Sequence, residues 1–375
     1  MKQLFNMLYQ EMEKHREPFC QHFRKCGGCS LQDLSYPKQI ELKERFLEKI
    51  FDKKITVIPS PVEKYYRGKM EYVYAFGKLG MREKGTYKFV VDLQECYLLS
   101  EKMRVFLPKL KALFEKYNIT SHNYLNHQGY LRYAVIRHTK FKDEYMINLV
   151  TYTEDDRVKK VMEEIMQQYD ALIWSVNSKL AETSIGHVRE IWKKDNICEQ
   201  FDNVKYQIGP YSFFQTNSFI AKEIYQKIKE YVFGNVLDLY AGAGNISMYI
   251  ADKCNFITSV EFNEASVKMA HKNIELNGLT NIEIVRSMCY DFLKQNQHLE
   301  YDWVILDPPR TGLERTVKQI SRLLPERIIY ISCNAKTFLL DLDKLSDNYK
   351  LEEIIGYDMF PQTPHLELFS VLNRK

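Results

Sequence analysis

The sequence predicts an α/β fold, in which a smaller α+β domain precedes a doubly wound, Rossmann-like domain. In the second half of the chain, short continuous apolar runs alternate with helical stretches, beginning with VLDLY at 236–240 and FITSVEF at 256–262. This alternation is typical of a mostly parallel sheet with helices on both faces. Residues 55–100 show strand-like alternation instead, with prolines and glycines at the turns. We therefore place one domain at 1–204 and the other at 205–375.

The individual elements follow from hydrophobic periodicity and from the positions of Pro and Gly. In the first domain the pattern predicts amphipathic helices over 1–17 and 37–51, strands over 130–138 and 144–152, and a helix over 157–168. The helix at about 37–52 is able to pack on the second domain. In the second domain the pattern predicts strands at 236–240, 256–262, 282–285, 303–309, 327–333 and 366–372.

Composition excludes several classes of protein. The chain has 375 residues, 45% of them hydrophobic and 27% charged, so it can bury a core and need not be disordered. Mean hydropathy is −0.40, and the absence of an apolar run of about 18 residues argues against a membrane span. The first residues lack the pattern of a secretory signal. Eight cysteines then indicate reduced thiols, metal ligands or nucleophiles, and we expect a cytoplasmic protein.

The distribution of charge indicates a polyanionic partner for the first half of the chain. Residues 1–200 carry 34 Lys and Arg against 27 Asp and Glu, a net charge of +7, whereas residues 201–375 have a net charge of −3. Within 53–88, nine basic residues are interleaved with six aromatic ones. Cations can contact phosphates while aromatic rings stack on unpaired bases, which favours RNA. A solvated strand face with core aromatics is the alternative.

Three cysteines near the N-terminus have the spacing of an inorganic site. Cys20, Cys26 and Cys29 lie on a loop that contains Gly-Gly, and Cys96 follows further along the chain. Three closely spaced thiolates can bind one centre, with a fourth ligand from elsewhere in the fold. The spacing alone suits an iron–sulfur cluster and tetrahedral zinc equally well.

A glycine-containing loop follows the strand at 236–240. Gly242 and Gly244 let the backbone approach a nucleotide, and Glu261, about 20 residues on, can accept hydrogen bonds from both ribose hydroxyls. The third glycine of the dinucleotide fingerprint is absent. A cofactor with one nucleoside, such as S-adenosylmethionine, therefore fits better than NAD.

Three further side chains are predicted to meet at the carboxyl edge of the same sheet, where open α/β sheets bind ligands. Asp307 begins the run Asp-Pro-Pro-Arg and can hydrogen-bond a planar base or an amine. Cys333 ends the strand at 327–333 and is either a small buried hydrophobe or a nucleophile. Glu367 follows a loop bracketed by two prolines and precedes the last strand.

Taken together, the motifs resemble those of the RNA uracil-C5 methyltransferases of the RumA/TrmA type. The resemblance runs in order from Cys20 to Glu367 over CxxxxxCGGCSLQ, SFFQTN, LDLYAGAGN, LDPPRTGL, ISCN and DMFPQTPHLE. It implies a Rossmann-like domain that uses S-adenosylmethionine and a first domain that carries a 4Fe-4S cluster and contacts RNA.

The resemblance also implies roles for individual residues. The cluster would be bound by Cys20, Cys26, Cys29 and Cys96, and S-adenosylmethionine by Gln215, Tyr240, Glu261 and Asp307 together with Gly242 and Gly244. Cys333 would be the nucleophile and Glu367 the base. The compact length, the cluster cysteines and SFFQTN look most similar to the branch that methylates 23S rRNA, which makes rRNA the expected partner, with no membrane and no obligate protein partner.

The implied chemistry is consistent with the residue types. Thiolate attack on C6 of uracil turns C5 into a nucleophile that can take a methyl group, and a base must then remove the C5 proton. Three alternatives stay open. They are a methyltransferase for the T-loop of tRNA, a 5-methylcytosine enzyme, and an iron–sulfur or zinc RNA-binding protein with a degenerate methyltransferase half. The 5-methylcytosine enzyme would need a cysteine inside or beside the Asp-Pro-Pro motif, where Arg310 is found instead.

Overall fold

The computed structural model describes residues 1–14 and 16–375. The helices are α1 Lys2–Glu11, α2 Tyr36–Phe51, α3 Phe106–Lys116, α4 Arg157–Ile165, α5 Ser218–Tyr231, α6 Asn245–Ile250, α7 Glu264–Leu276, α8 Cys289–Gln295, α9 Thr316–Leu323 and α10 Ala335–Leu345, with short 3₁₀ turns at Met166–Gln168 and Ala251–Lys253. The strands are β1 Val57–Ile58, β2 Lys69–Ala75, β3 Lys78–Arg82, β4 Val90–Asp92, β5 Leu131–His138, β6 Tyr145–Thr151, β7 Ala171–Val176, β8 His187–Lys193, β9 Ile197–Phe201, β10 Val204–Ile208, β11 Gly234–Leu239, β12 Cys254–Glu261, β13 Ile282–Arg286, β14 Trp303–Leu306, β15 Arg327–Ser332, β16 Tyr349–Tyr357 and β17 Glu367–Arg374.

An eight-stranded central sheet organises the second half of the chain. Its order is β1-β16-β17-β15-β14-β11-β12-β13. The five strands from β15 to β13 are parallel, and β17 runs antiparallel to both of its neighbours. The central strands are apolar and buried on both faces, as expected for parallel strands covered by helices. This sheet confirms the prediction of a mixed α/β fold with a doubly wound core.

The N-terminal segment packs on this central sheet. β1 pairs in parallel with β16, and the rings of Phe5 on α1 and Phe46 on α2 meet edge to face, with centroids 5.2 Å apart. Leu42 and Leu47 of α2 share a buried core with Leu368 and other residues of the sheet. The helix at 37–52 therefore lies against the central sheet, while the division of the chain at residue 204 stays a prediction.

A second sheet has its own core. Its seven strands follow the order β4-β3-β2-β5-β6-β7-β8, with α3 and α4 packed beside it. Neighbouring strands are antiparallel except β6 and β7, which are joined by α4 and run parallel. Among the residues that the structure describes, no helix is both long and apolar enough to span a bilayer.

Candidate active site

The turn after β11 forms the floor of the predicted cofactor site. Tyr240, Gly242 and Gly244 have φ angles of +64°, +58° and +72°, a region that glycine adopts at little cost. The Gly244 N–H donates to the Ala241 carbonyl at 2.8 Å, which closes the turn just before α6 begins. A Cβ on Gly242 would meet only the Phe213 ring, at 3.8 Å. The backbone at Gly242 is therefore open to a ligand.

Glu261, the last residue of β12, lies directly beside this turn. Its Oε2 accepts a hydrogen bond from the Gly242 N–H at 2.9 Å, and its Oε1 accepts one from the Asn263 N–H at 2.6 Å. Each carboxylate oxygen can accept more than one hydrogen bond. Glu261 is thus held in a fixed orientation and keeps acceptor capacity for two hydroxyl groups.

Asp307 follows β14 and lies on the other side of β11. The Gln215 side chain donates to Oδ2 of Asp307 at 3.5 Å, so the SFFQTN segment reaches the sheet edge. Burial and the neighbouring carboxyl of Asp238 raise the pKa of Asp307 to about 7. Tyr240 points elsewhere, because its hydroxyl is hydrogen-bonded to Thr316 of α9. The structure therefore brings together every predicted cofactor residue except the Tyr240 hydroxyl.

Cys333 and Glu367 are neighbours because β17 is antiparallel to β15. In this register Ser332 pairs with Leu368, which places the residue after β15 next to the first residue of β17. Burial raises the pKa of the Cys333 thiol to about 11; the charges of Glu367 and Asp307 raise it too, and the charge of Arg310 lowers it.

Glu367 is 4% exposed. Burial and Asp307 raise the pKa of Glu367 well above its usual value, and Arg310 opposes the shift. Burial thus favours the neutral form of both acids, and the charge of Asp307 adds to the shift at Glu367. The cleft contains a thiol and two buried acids.

Arg310 lies close enough to Cys333 and Glu367 to influence both, and the sequence analysis assigned it no role in the site. Its charge lowers the pKa of both Cys333 and Glu367. The Arg310 carbonyl accepts from the Asn334 side chain at 2.9 Å, so the loop after β14 is tied to the residue that follows Cys333. Arg310 therefore favours the ionised forms that nucleophilic and base catalysis require.

The loop that precedes Glu367 is held by α2, through individual contacts that the sequence analysis did not predict. Lys43 is fully buried and forms an ion pair with Asp358, and its ammonium group donates to the His365 carbonyl at 3.0 Å. Gln39 exchanges two hydrogen bonds of 2.9 Å with Gln362, whose φ is +68°. The Lys43–Asp358 and Gln39–Gln362 contacts each join residues more than 300 positions apart, so no local sequence pattern predicts them.

The four predicted cluster cysteines line one cavity at the edge of the second sheet: Cys20, Cys26, Cys29 and Cys96. Burial raises the pKa of Cys20 to about 11 and that of Cys26 to about 12. Across residues 1–14 and 16–375, however, no three His, Cys, Asp or Glu side chains are arranged as a metal site. The predicted 4Fe-4S cluster and its separate domain are therefore not shown.

Comparison with known proteins gives consistent results. Residues 35–375 match the tRNA (Uracil-5-)-methyltransferase family. A tRNA (uracil(54)-C(5))-methyltransferase of Pyrococcus horikoshii is 37% identical over 94% of this chain and 85% of its own length. A 23S rRNA (uracil(747)-C(5))-methyltransferase of the same organism is 32% identical over 95% and 85%. The crystal structure of the Pyrococcus abyssi tRNA (uracil-54, C5)-methyltransferase with S-adenosyl-L-homocysteine has a TM-score of 0.81 at 35% identity, covering 92% of this chain and 85% of that one.

Proposed function

The chain belongs to the tRNA (uracil-5-)-methyltransferase family, and from this premise we propose that it methylates C5 of a uridine in tRNA through Cys333 and Glu367. That it is an S-adenosylmethionine-dependent RNA uracil-C5 methyltransferase follows from the family. The position of the target and the roles of the residues are our proposal. One observation carries these roles: the β15–β17 register sets Cys333 beside Glu367, next to Asp307.

In the proposed reaction, the Cys333 thiolate adds to C6 of the uracil, and C5 then takes the methyl group. Glu367 removes the C5 proton, and the thiolate leaves by β-elimination. Both residues must be ionised when they act, whereas burial favours their neutral forms. Arg310, whose charge lowers both pKa values, supports the ionised states.

The residues at the glycine turn fit S-adenosylmethionine, which supplies the methyl group as a sulfonium when bound. Glu261 lies beside the turn with acceptor capacity left for ribose hydroxyls, and Gly242 leaves its face open. The acidic groups at the sheet edge, Asp238, Asp307 and Glu367, favour a cation in this cleft. We propose that Gln215 and Asp307 lie between the bound cofactor and the uracil and can contact both.

Replacing Glu261 by alanine should weaken binding of S-adenosylhomocysteine by about 10- to 100-fold, because hydrogen bonds to a charged acceptor contribute about 1.5–3 kcal/mol. Calorimetric titration measures the dissociation constant. The matched control is Glu264→Ala, which removes an exposed carboxylate paired with Lys268. Equal affinities in the two variants would show that Glu261 does not bind the cofactor.

We propose tRNA as the target rather than 23S rRNA, which corrects the expectation from sequence. That expectation rested on chain length, the cluster cysteines and SFFQTN. Relatives that act on tRNA and on rRNA match this chain over nearly the same span, so features of the shared enzyme core do not distinguish the two. The tRNA methyltransferase of Pyrococcus horikoshii is 37% identical to this chain, against 32% for the rRNA methyltransferase of the same organism.

The experiment compares the two RNAs directly as substrates. Purified protein is incubated with S-adenosylmethionine and either a tRNA transcript or a 23S rRNA fragment, and 5-methyluridine is measured by mass spectrometry of the digested nucleosides. We expect methylation of the tRNA and its loss when the T-loop uridine at position 54 is replaced by cytidine. Methylation of the rRNA fragment alone would overturn the choice of target.

We further propose that the four cysteines bind a 4Fe-4S cluster with a structural role. Their side chains line one cavity, and buried thiols with raised pKa values are stabilised as thiolates only by a cationic partner. The cluster would tie the loop of Cys20, Cys26 and Cys29 to Cys96 at the second sheet. Methyl transfer has no redox step that would need it.

Protein purified anaerobically should contain about four iron and four sulfide per chain and absorb broadly in the blue. Cys26→Ser should lose most of the iron, whereas Cys198→Ser, on β9 away from the cavity, should keep it. Metal analysis and the visible spectrum test this without an activity assay. Stoichiometric zinc without iron or sulfide would contradict the cluster but not the methyltransferase.

A further inference from the structure

A groove of about 580 Å³ opens beside Cys333 and is not part of the cofactor site. Distant parts of the chain line it, among them Lys2, Asn6 and Tyr9 of α1, Lys84 in the turn between β3 and β4, and Cys333 and Asn334 after β15. The glycine turn follows β11, and Glu261 ends β12. In the sheet, β14 separates these two strands from β15, the strand that Cys333 follows. The groove therefore reaches the nucleophile from the flank of the sheet that faces away from the cofactor turn.

The helix that walls this groove is firmly attached. Phe5 and Leu8 of α1 are buried in the core of the central sheet, and the Tyr9 hydroxyl donates to Asp33 at 2.7 Å. Lys2 and Asn6, one turn apart on α1, are exposed. An amphipathic helix anchored in this way presents its polar face in a fixed position.

The chemistry of the lining favours a nucleic acid strand. Lys2 and Lys84 are exposed and contribute positive charge from two sides, and none of the described residues that line the groove is acidic. Apolar side chains, among them Leu31 and Leu366, complete the lining. Cations for phosphates beside apolar surface for bases are the combination that binds unpaired RNA, and a volume of this size is typical of ligand sites.

We propose that this groove binds the single-stranded RNA next to the methylated uridine, so that α1 is part of the RNA-binding surface. The inference rests on the proposed function, since the uracil must be turned out of its stack to reach Cys333 and its neighbours must then leave the cleft. Lys2 and Lys84 contact phosphates of those neighbours, and Asn6 lines the same groove as the nucleophile.

The test uses charge reversal on the full chain, with any affinity tag at the C-terminus. The double variant Lys2→Glu/Lys84→Glu should raise the KM for tRNA at least about tenfold and leave kcat and the affinity for S-adenosylhomocysteine within about twofold. The slope of log affinity against log salt should fall by about 1.4, because each phosphate contact to a single strand contributes about 0.7.

Lys350→Glu is the matched control. Lys350 is exposed and pairs with Asn373 near the start of β16. Glu367 pairs with Tyr357 at the other end of the same strand, so Lys350 is remote from the proposed active site. The inference is wrong if the KM and salt slope of the double variant equal those of Lys350→Glu while the wild type methylates RNA. If the wild type methylates no RNA, the proposed function fails instead.

Crosslinking gives a second readout that does not depend on turnover. RNA with 4-thiouridine beside the target should crosslink to a peptide from α1 when irradiated with the wild type. Crosslinks confined to the seven-stranded sheet, with none to α1, would place the flanking RNA elsewhere and overturn the inference.

Discussion

Cys333→Ala should lower methyl transfer by roughly 10⁴-fold or more, the size of loss seen when a covalent nucleophile is removed. Without the thiolate, C5 of uracil is too weak a nucleophile to take the methyl group. S-adenosylhomocysteine should bind the variant as it binds the wild type, since the proposed cofactor residues lie at the ends of β11, β12 and β14 and, for Gln215, just before α5. Transfer of labelled methyl groups to tRNA measures the rate, and calorimetry measures cofactor affinity.

Cys254→Ala is the control for this substitution. Cys254 is the first residue of β12, so it lies at the end of the sheet opposite the carboxyl ends of the parallel strands. This variant should keep nearly full activity. With 5-fluorouridine RNA, wild type and control should form an adduct that survives denaturation, because fluorine cannot leave as a proton, and Cys333→Ala should form none. A Cys333→Ala enzyme with near wild-type rate would refute the assignment of the nucleophile.

Glu367→Gln should slow turnover by about 10²–10⁴-fold, the usual contribution of a general base, and should accumulate a methylated covalent complex on ordinary uridine RNA. Glutamine is nearly isosteric with glutamate and cannot take the proton. Attack and methylation would still occur, while elimination would stall with the RNA attached to Cys333.

A denaturing gel detects this complex when the methyl group of S-adenosylmethionine is radiolabelled. The labelled protein–RNA band should be absent in a Cys333→Ala/Glu367→Gln double variant. Glu352→Gln, an exposed change on β16, should turn over normally and show no band. Normal turnover by Glu367→Gln would mean that another group or water removes the proton and that Glu367 is structural.

Most elements of the central sheet were predictable because parallel strands are continuous apolar runs. The predicted strand at 256–262 is β12, Cys254–Glu261, and the predicted strand at 327–333 is β15, Arg327–Ser332. The predicted strand at 303–309 ends early, at Leu306, because the two prolines after Asp307 have no N–H for the ladder. The predicted helix at 1–17 is shorter, ending at Glu11, with Met12 extended.

The features of the site that could not be predicted from the sequence are those formed by long-range contacts. Motif order placed Cys333 and Glu367 at one edge, but only the antiparallel β17 makes them neighbours. The buried Lys43–Asp358 pair joins α2 to the loop before Glu367, and a buried lysine has no signature in sequence. The contribution of α1 to the groove beside Cys333 is equally nonlocal, because it depends on how the N-terminal segment packs on the central sheet.

The most direct measurement of the central claim is tritium release from RNA labelled at C5 of uracil. Methylation at C5 replaces the hydrogen there, so each methyl group transferred to tRNA must release one tritium to water. We predict equal amounts of methyl transferred and tritium released by the wild type, and no net release by Cys333→Ala. Methyl transfer to RNA without tritium release would place the methyl group on another atom or another base and contradict the account.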